Sequence, residues 1–256
     1  MKSMRHLRCT LMLALAGSCG LAAADEPPVT PYRPSVSSPA ALPATGQLEF
    51  EAGVLAQRDH GARRDSLPFL FKLAFSDSWG VLLGGEAYVG ARDDGTDSLH
   101  GVGDTSVVLK RAFALAPGSA LGLELGAKIP TAKTGIGSGK ADYELNGIYS
   151  QDMGQVHMDA NVNLTRLGDW DSGTGRNQRG ASASFSVPAN GQWGLTGELS
   201  GTRRSGAANT AQVLVAAAYS PNPRLTIDFG LAHGLNDATP AWSLFSGVVL
   251  PLAKLW

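Results

Sequence analysis

The sequence predicts an all-β fold, a transmembrane up-and-down antiparallel β-barrel of about 12 strands. Three observations predict it. From Gln47 onward, segments of about ten residues alternate apolar and polar side chains; the connections between them are alternately short and long; and aromatic residues gather at one set of strand ends. Side chains on a strand point alternately to its two faces, so each segment has one apolar and one polar face. The chain has 32 Gly and no apolar run of the roughly 20 residues that a spanning helix needs. Near-neutral hydropathy suits a barrel, because half of its strand residues can be polar.

The elements follow in chain order. Lys2, Arg5 and Arg8 form a basic start, Leu11 to Leu21 is a short apolar stretch, and Ala22-Ala23-Ala24 offers a small-residue cleavage site. Residues 1–24 therefore read as a signal peptide; acylation of Cys19 is the alternative export route. Cys9 and Cys19 both lie in this leader, so a mature chain starting at Asp25 has no disulfide framework. Its 18 basic residues (21 less the three in the leader) against 22 acidic ones give −4, which argues against nucleic acid as a partner. Residues 25–45 carry Pro27, Pro28, Pro31, Pro34, Pro39 and Pro43, and read as an extended periplasmic linker.

The alternation then runs through Leu48–Ala56, Leu67–Phe75, Trp79–Val89, Thr105–Phe113, Leu121–Ile129 and Tyr143–Tyr149. It continues through Val156–Leu164, Ala181–Val187, Trp193–Leu199, Ala211–Tyr219, Leu225–Leu231 and Trp242–Trp256, twelve segments in all. In the third, Val81, Leu83, Ala87 and Val89 share the apolar face, opposite Glu86. The connections at 76–78, 116–119, 151–155, 189–192 and 220–224 are short, and those at 91–102, 131–141 and 167–179 are longer. Short periplasmic turns and longer external loops are what such barrels show. In this topology Phe50, Phe75, Trp79, Phe113, Tyr149, Trp193, Tyr219 and Trp256 form an aromatic girdle at the periplasmic strand ends.

The polar face carries the lumen candidates: Glu86, Asp104, Lys110, Glu124, Lys128, Asp142, Glu144, His157, Asp159, Glu198 and Asp228, and Glu49, Glu51 and Lys72 share that face. Charges of both signs at this density must be paired or solvated. They read either as a network holding the barrel's shape or as a polar constriction that selects solutes. Other motifs carry less. Gly135 to Lys140 ends like a phosphate-binding loop, but Thr134 stands where the first Gly belongs and Ala141 replaces Ser/Thr. His157 and Asp159 need further convergent ligands to hold a metal. His233 meets Ser243 only if that serine turns outward, so no catalytic triad is expected. The reading is of a non-enzyme with no cofactor and no metal.

Two stretches carry a family resemblance. GVGDTSVVLKRAF (Gly101–Phe113) is similar to the G-x-G-D…K strand of a broad barrel family named for the meta-pathway of phenol degradation. KIPTAKTGIGSGKADYEL (Lys128–Leu145) resembles that family's strand, Pro-Thr, Gly-rich loop and strand, with Pro-Thr-Ala for the usual Pro-Thr-Gly. The resemblance implies a passive outer-membrane transporter in a Gram-negative bacterium, with small hydrophobic or aromatic compounds as cargo. The ending SLFSGVVLPLAKLW resembles the terminal strand by which the barrel-assembly machinery recognises such proteins, with Trp256 for the commoner Phe and Lys254 at a usually apolar place. Outer-membrane lipid and that machinery are the expected partners. The alternatives are a structural or partner-tethering barrel with a sealed charged lumen and, less favoured, a surface hydrolase.

Overall fold

The computed structural model describes residues 27–256; the signal peptide expected over 1–24 lies outside the described residues. The strands are β1 (Gln47–Asp59), β2 (Ala62–Ala74), β3 (Trp79–Arg92), β4 (Leu99–Gly101), β5 (Thr105–Ala116), β6 (Ser119–Ile129) and β7 (Asp142–Met153). They continue with β8 (Val156–Arg166), β9 (Asn177–Pro188), β10 (Trp193–Arg204), β11 (Thr210–Asn222), β12 (Leu225–Gly234) and β13 (Trp242–Lys254). Neighbours in sequence pair antiparallel, and β13 pairs with β1 along its length from Lys254↔Gln47 to Trp242↔Arg58, which closes the barrel. Three-residue β4 is a flap on β3 and β5 continues the wall, so twelve strands make the closed barrel. Closure leaves no edge with unpaired backbone groups, the condition for a sheet to stand in lipid.

Connection lengths divide the two ends. At the end where β1 begins and β13 finishes, residues 75–78, 117–118, 154–155, 189–192 and 223–224 turn tightly. At the opposite end, 93–98, 130–141, 167–176, 205–209 and 235–241 form longer loops. One loop-end connection is tight: Asp59 pairs with Ala62 across His60 (φ 31°) and Gly61 (φ 98°). Two central residues with positive φ make the primed turn whose twist matches a hairpin.

The outward face carries exposed aliphatic residues such as Val54, Leu67, Leu83, Leu125, Val162, Leu199 and Leu244, while Glu49, Lys72, Lys110 and Asp228 are fully buried inside. A soluble protein puts these classes the other way round. The pattern is that of a wall standing in hydrocarbon.

Strand β3 departs from simple alternation. Ser66 pairs with Val89 but Pro68 with Glu86, so two residues of β3 oppose one of β2. An extra residue flips every side chain beyond it. Val89, expected on the apolar outer face, is thereby buried within, and Tyr88 is exposed outside. Pro68 lies opposite this bulge, where a residue without an N–H is tolerated in a strand.

The larger correction concerns the Pro-rich segment. A periplasmic linker was expected over 25–45, yet the described part of that segment runs through the inside of the barrel, with Val29, Tyr32, Ser37 and Ala40 buried. Six prolines at 27–43 lack an N–H, so the extended backbone has few donors to satisfy. Those that remain find side chains on the wall.

Candidate functional site

Twelve strands about 4.8 Å apart and tilted about 40° close on a backbone radius of roughly 12 Å. Inward side chains reach about half of that distance, which leaves a bore that one extended chain can fill. The segment before β1, called the plug below, occupies it.

Wall side chains hold the plug by its backbone. The Thr30 N–H donates to both oxygens of Glu49 at 3.1 Å, and the Tyr32 N–H to Glu51 at 2.8 Å. The Val36 and Ser37 N–H groups share Glu198 Oε2 at 2.9 Å each. Asn161 accepts from the Ser38 N–H and donates to the Ser38 carbonyl, both at 2.9 Å. Ser150 Oγ accepts from the Ala40 N–H at 2.8 Å. In return Lys110 donates to the Pro39 carbonyl at 2.5 Å, and Lys72 to that of Thr30. Hydrogen bonds to charged groups contribute about 1.5–3 kcal/mol each. Almost none of this recognition depends on the plug's side chains.

Two plug side chains are exceptions. The Tyr32 ring lies between two buried lysines, with Lys72 Nζ 4.4 Å and Lys110 Nζ 4.2 Å from its centroid, and its hydroxyl donates to the Ala41 carbonyl at 2.7 Å. Burial, with Glu124, Glu51 and Glu49 near, pushes the phenol well above its ordinary pKa and keeps it a donor. Arg33 makes a two-pronged pair with Asp228, Nε to Oδ2 at 2.9 Å and Nη2 to Oδ1 at 3.0 Å. It passes over Gly247, where a Cβ would stand 2.3 Å from Arg33 Nε, so only glycine leaves it room.

The structure places the eleven lumen candidates as follows. Lys110 pairs with Glu124 at 2.9 Å, and Lys128 with Asp142 at 2.7 Å and Asp104 at 3.3 Å. Glu86 pairs with Arg64 at 2.5 Å, and Glu144 accepts from the Thr165 hydroxyl at 2.9 Å. His157 lies between Asp152 (2.6 Å) and Asp159 (3.3 Å) near the terminal end. Glu198 and Asp228 hold the plug. Around Lys72, whose amine is 3.0 Å from Glu49 and 2.5 Å from Glu51, a second ion cluster forms from charges that share the polar face. Every buried charge named here meets an opposite charge or plug backbone, the condition for burying it.

No serine–histidine relay forms among the described residues. Ser150 donates to Asp159, not to a histidine; His233 contacts the Ala241 carbonyl and the ring of Trp242; Ser243 is buried on the inside. No group of three or more potential metal ligands occurs among the described residues.

Two cavities border the plug inside the barrel. One of about 410 Å³ is lined by Asn146, Asn161, Asn163, Ser182, Ser200 and Gln212 among others. The other, about 330 Å³, lies between the plug and the wall of β1, β2, β3 and β5, against Pro68, Leu70, Leu82 and Val108. These four make an apolar strip on the inner face. Its signal in the sequence was weak, because LPFLFKLAF and GVLLGG are apolar on both faces.

On the outer face, Phe50 packs on Phe71 at 4.7 Å, Trp193 on Tyr219 at 4.9 Å, and the Arg111 guanidinium lies over Trp79 (4.9 Å) and Phe113 (4.6 Å). Phe75, Tyr149 and Trp256 are exposed at the terminal end.

Residues 33–252 match the model of the family described as "Putative MetA-pathway of phenol degradation", from the plug's Arg33 to the last strand. The chain belongs to this family. Among solved structures it is similar to the COG4313 outer membrane channel from Pseudomonas putida F1, at 16% identity and a TM-score of 0.63, covering 83% of this chain and 97% of that one. It is similar to the KdgM porin at 10% identity and a TM-score of 0.57, covering 80% and 99%. It is also similar to the CymD monoaromatic hydrocarbon channel at 10% identity and a TM-score of 0.52, covering 83% and 90%. At these identities the likeness is one of fold, the outer-membrane β-barrel. No curated protein matches the chain.

Proposed function

We propose that this protein is a passive outer-membrane channel for small hydrophobic or aromatic solutes, closed in the state described here by its N-terminal plug. The observation that carries the reading is the plug itself: a chain threaded through a barrel that would otherwise be open, with cavities beside it. A wall built only for rigidity needs no removable filling. The hydrogen bonds that hold the plug are ones that water can replace. Cargo of apolar character is supported by the strip of Pro68, Leu70, Leu82 and Val108, which gives such a solute a surface inside a polar lumen. The kinship in fold with a monoaromatic hydrocarbon channel points the same way.

The long loops face the outside and both chain ends the periplasm in this reading, with a cleaved leader over 1–24. The pairing of β13 with β1 as the closing seam supports recognition of the last strand, ending in Trp256, by the assembly machinery. The girdle of Phe50, Phe75, Trp79, Phe113, Tyr149, Trp193, Tyr219 and Trp256 then sits at the inner headgroup level. No catalysis is assigned to the chain.

Uptake of a labelled monoaromatic acid or hydrocarbon by cells with and without the barrel tests the reading. Faster uptake with the barrel supports it, and equal uptake sinks it. A second reading, a sealed structural barrel, is favoured by the fully buried cluster of Lys72 with Glu49 and Glu51. It predicts equal uptake and a barrel that unfolds when the cluster is broken.

A further inference from the structure

Outside the lumen, one concave surface near the loop end combines cations with an open floor. Arg58, Arg63 and Arg92 lie in register on β1, β2 and β3, Arg58 opposite Arg63 and Arg63 opposite Arg92, and all three point outward. Directly opposed side chains stand about 5 Å apart at Cβ, where like charges repel. One carboxylate serves the row: Asp65 accepts from Arg58 at 2.7 Å and from Arg63 at 2.6 Å. Arg92 forms no ion pair among the described residues. Asp93, Asp94 and Asp97 belong to the adjoining loop, and none is within ion-pair distance of Arg63 or Arg92; Asp94 lies instead against Gly61.

Beside this row is a hollow of about 220 Å³, walled by Arg63, Asp65, Tyr88, Arg92, Ser98 and His100. Gly90 is its floor: a Cβ there would stand 3.0 Å from the Tyr88 hydroxyl and 3.2 Å from His100 Nδ1. His100 reaches the hollow because β4 folds back on β3 and pairs it with Gly90. Tyr88 Oη and His100 Nδ1 are 2.8 Å apart, and the rings stack at 6.0 Å, which fixes the imidazole over the floor. On the same outer face, Leu67 is two residues from Asp65 and is exposed, so the hollow begins where the apolar belt ends.

The geometry points to a binding site for the phosphate of a lipid headgroup packed against the outside of the barrel. Arg92 supplies a fork-shaped donor that suits phosphate oxygens, and Arg63, whose Nε and Nη2 both donate to Asp65, adds its remaining N–H groups and its charge. The inference rests on the membrane placement proposed above and is independent of what the lumen carries.

The test uses the purified full-length barrel in detergent, with lipid A as the probe and native mass spectrometry as the readout. The wild type is expected to retain lipid A at least tenfold better than Arg63→Gln/Arg92→Gln, with His100→Gln in between, and to retain the dephosphorylated lipid poorly. Arg179→Gln/Arg203→Gln removes another opposed arginine pair, on β9 and β10, away from Gly90 and His100. This control is expected to bind as the wild type does. Heat-modifiable gel mobility shows which variants are folded, and Arg92→Gln alone serves if the double variant is not. Equal retention by the wild type and the Arg63/Arg92 variants overturns the site. Equal retention of the dephosphorylated lipid, or displacement by inorganic phosphate at matched concentration, overturns its assignment to a lipid. Solute uptake is read separately, so failure of the channel reading leaves these outcomes distinguishable.

Discussion

Replacing Tyr32 by Ala removes the one ring that ties the plug to both buried lysines. Truncating a well-packed aromatic side chain costs about 3–5 kcal/mol. The parts sum to the same range: two cation–π contacts of about 0.5–2 kcal/mol each and a hydrogen bond of about 1 kcal/mol, lost with the ring's burial. If the plug leaves the lumen as a unit, this cost falls on the docked state alone. At about 1.4 kcal/mol per factor of ten, the ratio of docked to undocked plug then drops by roughly two to three and a half orders of magnitude. Amide hydrogen exchange reads that ratio directly, because the N–H groups of Tyr32, Val36, Ser37, Ser38 and Ala40 are held by wall side chains only while the plug is docked. Faster exchange is expected at all five amides by a common factor, with strands β5 to β12 unchanged. Tyr32→Phe keeps the ring over both lysines and loses only the hydrogen bond, so it is expected to speed exchange by about tenfold or less. Unchanged protection in Tyr32→Ala, or acceleration at residue 32 alone, refutes docking as a unit.

Other predictions concern the partners of the plug. Arg33→Ala strands Asp228 in a fully buried place and is expected to cost about 3–5 kcal/mol, whereas Arg33→Ala/Asp228→Ala recovers much of this; melting of the purified barrel measures both. Gly247→Ala sets a methyl against Arg33 and 2.7 Å from the Ala52 carbonyl of β1, and is expected to free the plug at the cost of a local shift in the β1–β13 seam, detectable as plug cleavage by added protease. Lys72→Met leaves Glu49 and Glu51 without their counter-ion and is expected to destabilise by about 3–5 kcal/mol, read as a lower temperature of heat-modified mobility.

The wall was legible because lipid outside and a polar interior impose a period of two on every strand. The tight turns and long loops separate in the sequence as they do in space. Val89 escaped because alternation looks alike on both sides of a bulge, and only the pairing of Ser66 and Pro68 with β3 shows the extra residue. The plug escaped for a deeper reason. A Pro-rich polar segment reads as solvated chain whether water or side chains satisfy its backbone, and its partners are far away in sequence, as Glu198 is from Val36 at 162 residues. The choice of partners was equally hidden. Parity groups Lys72 with Glu49 and Glu51, but only the register of the β1–β2 hairpin, which sets Glu49 opposite Lys72, brings them to ion-pair distance.

Occlusion by the plug is tested most directly by liposome swelling with small uncharged solutes, comparing the full chain with one lacking residues 28–42. Slow swelling is expected for the full chain, with a rise of at least tenfold once the plug is removed. Equal rates, with both barrels folded, contradict it.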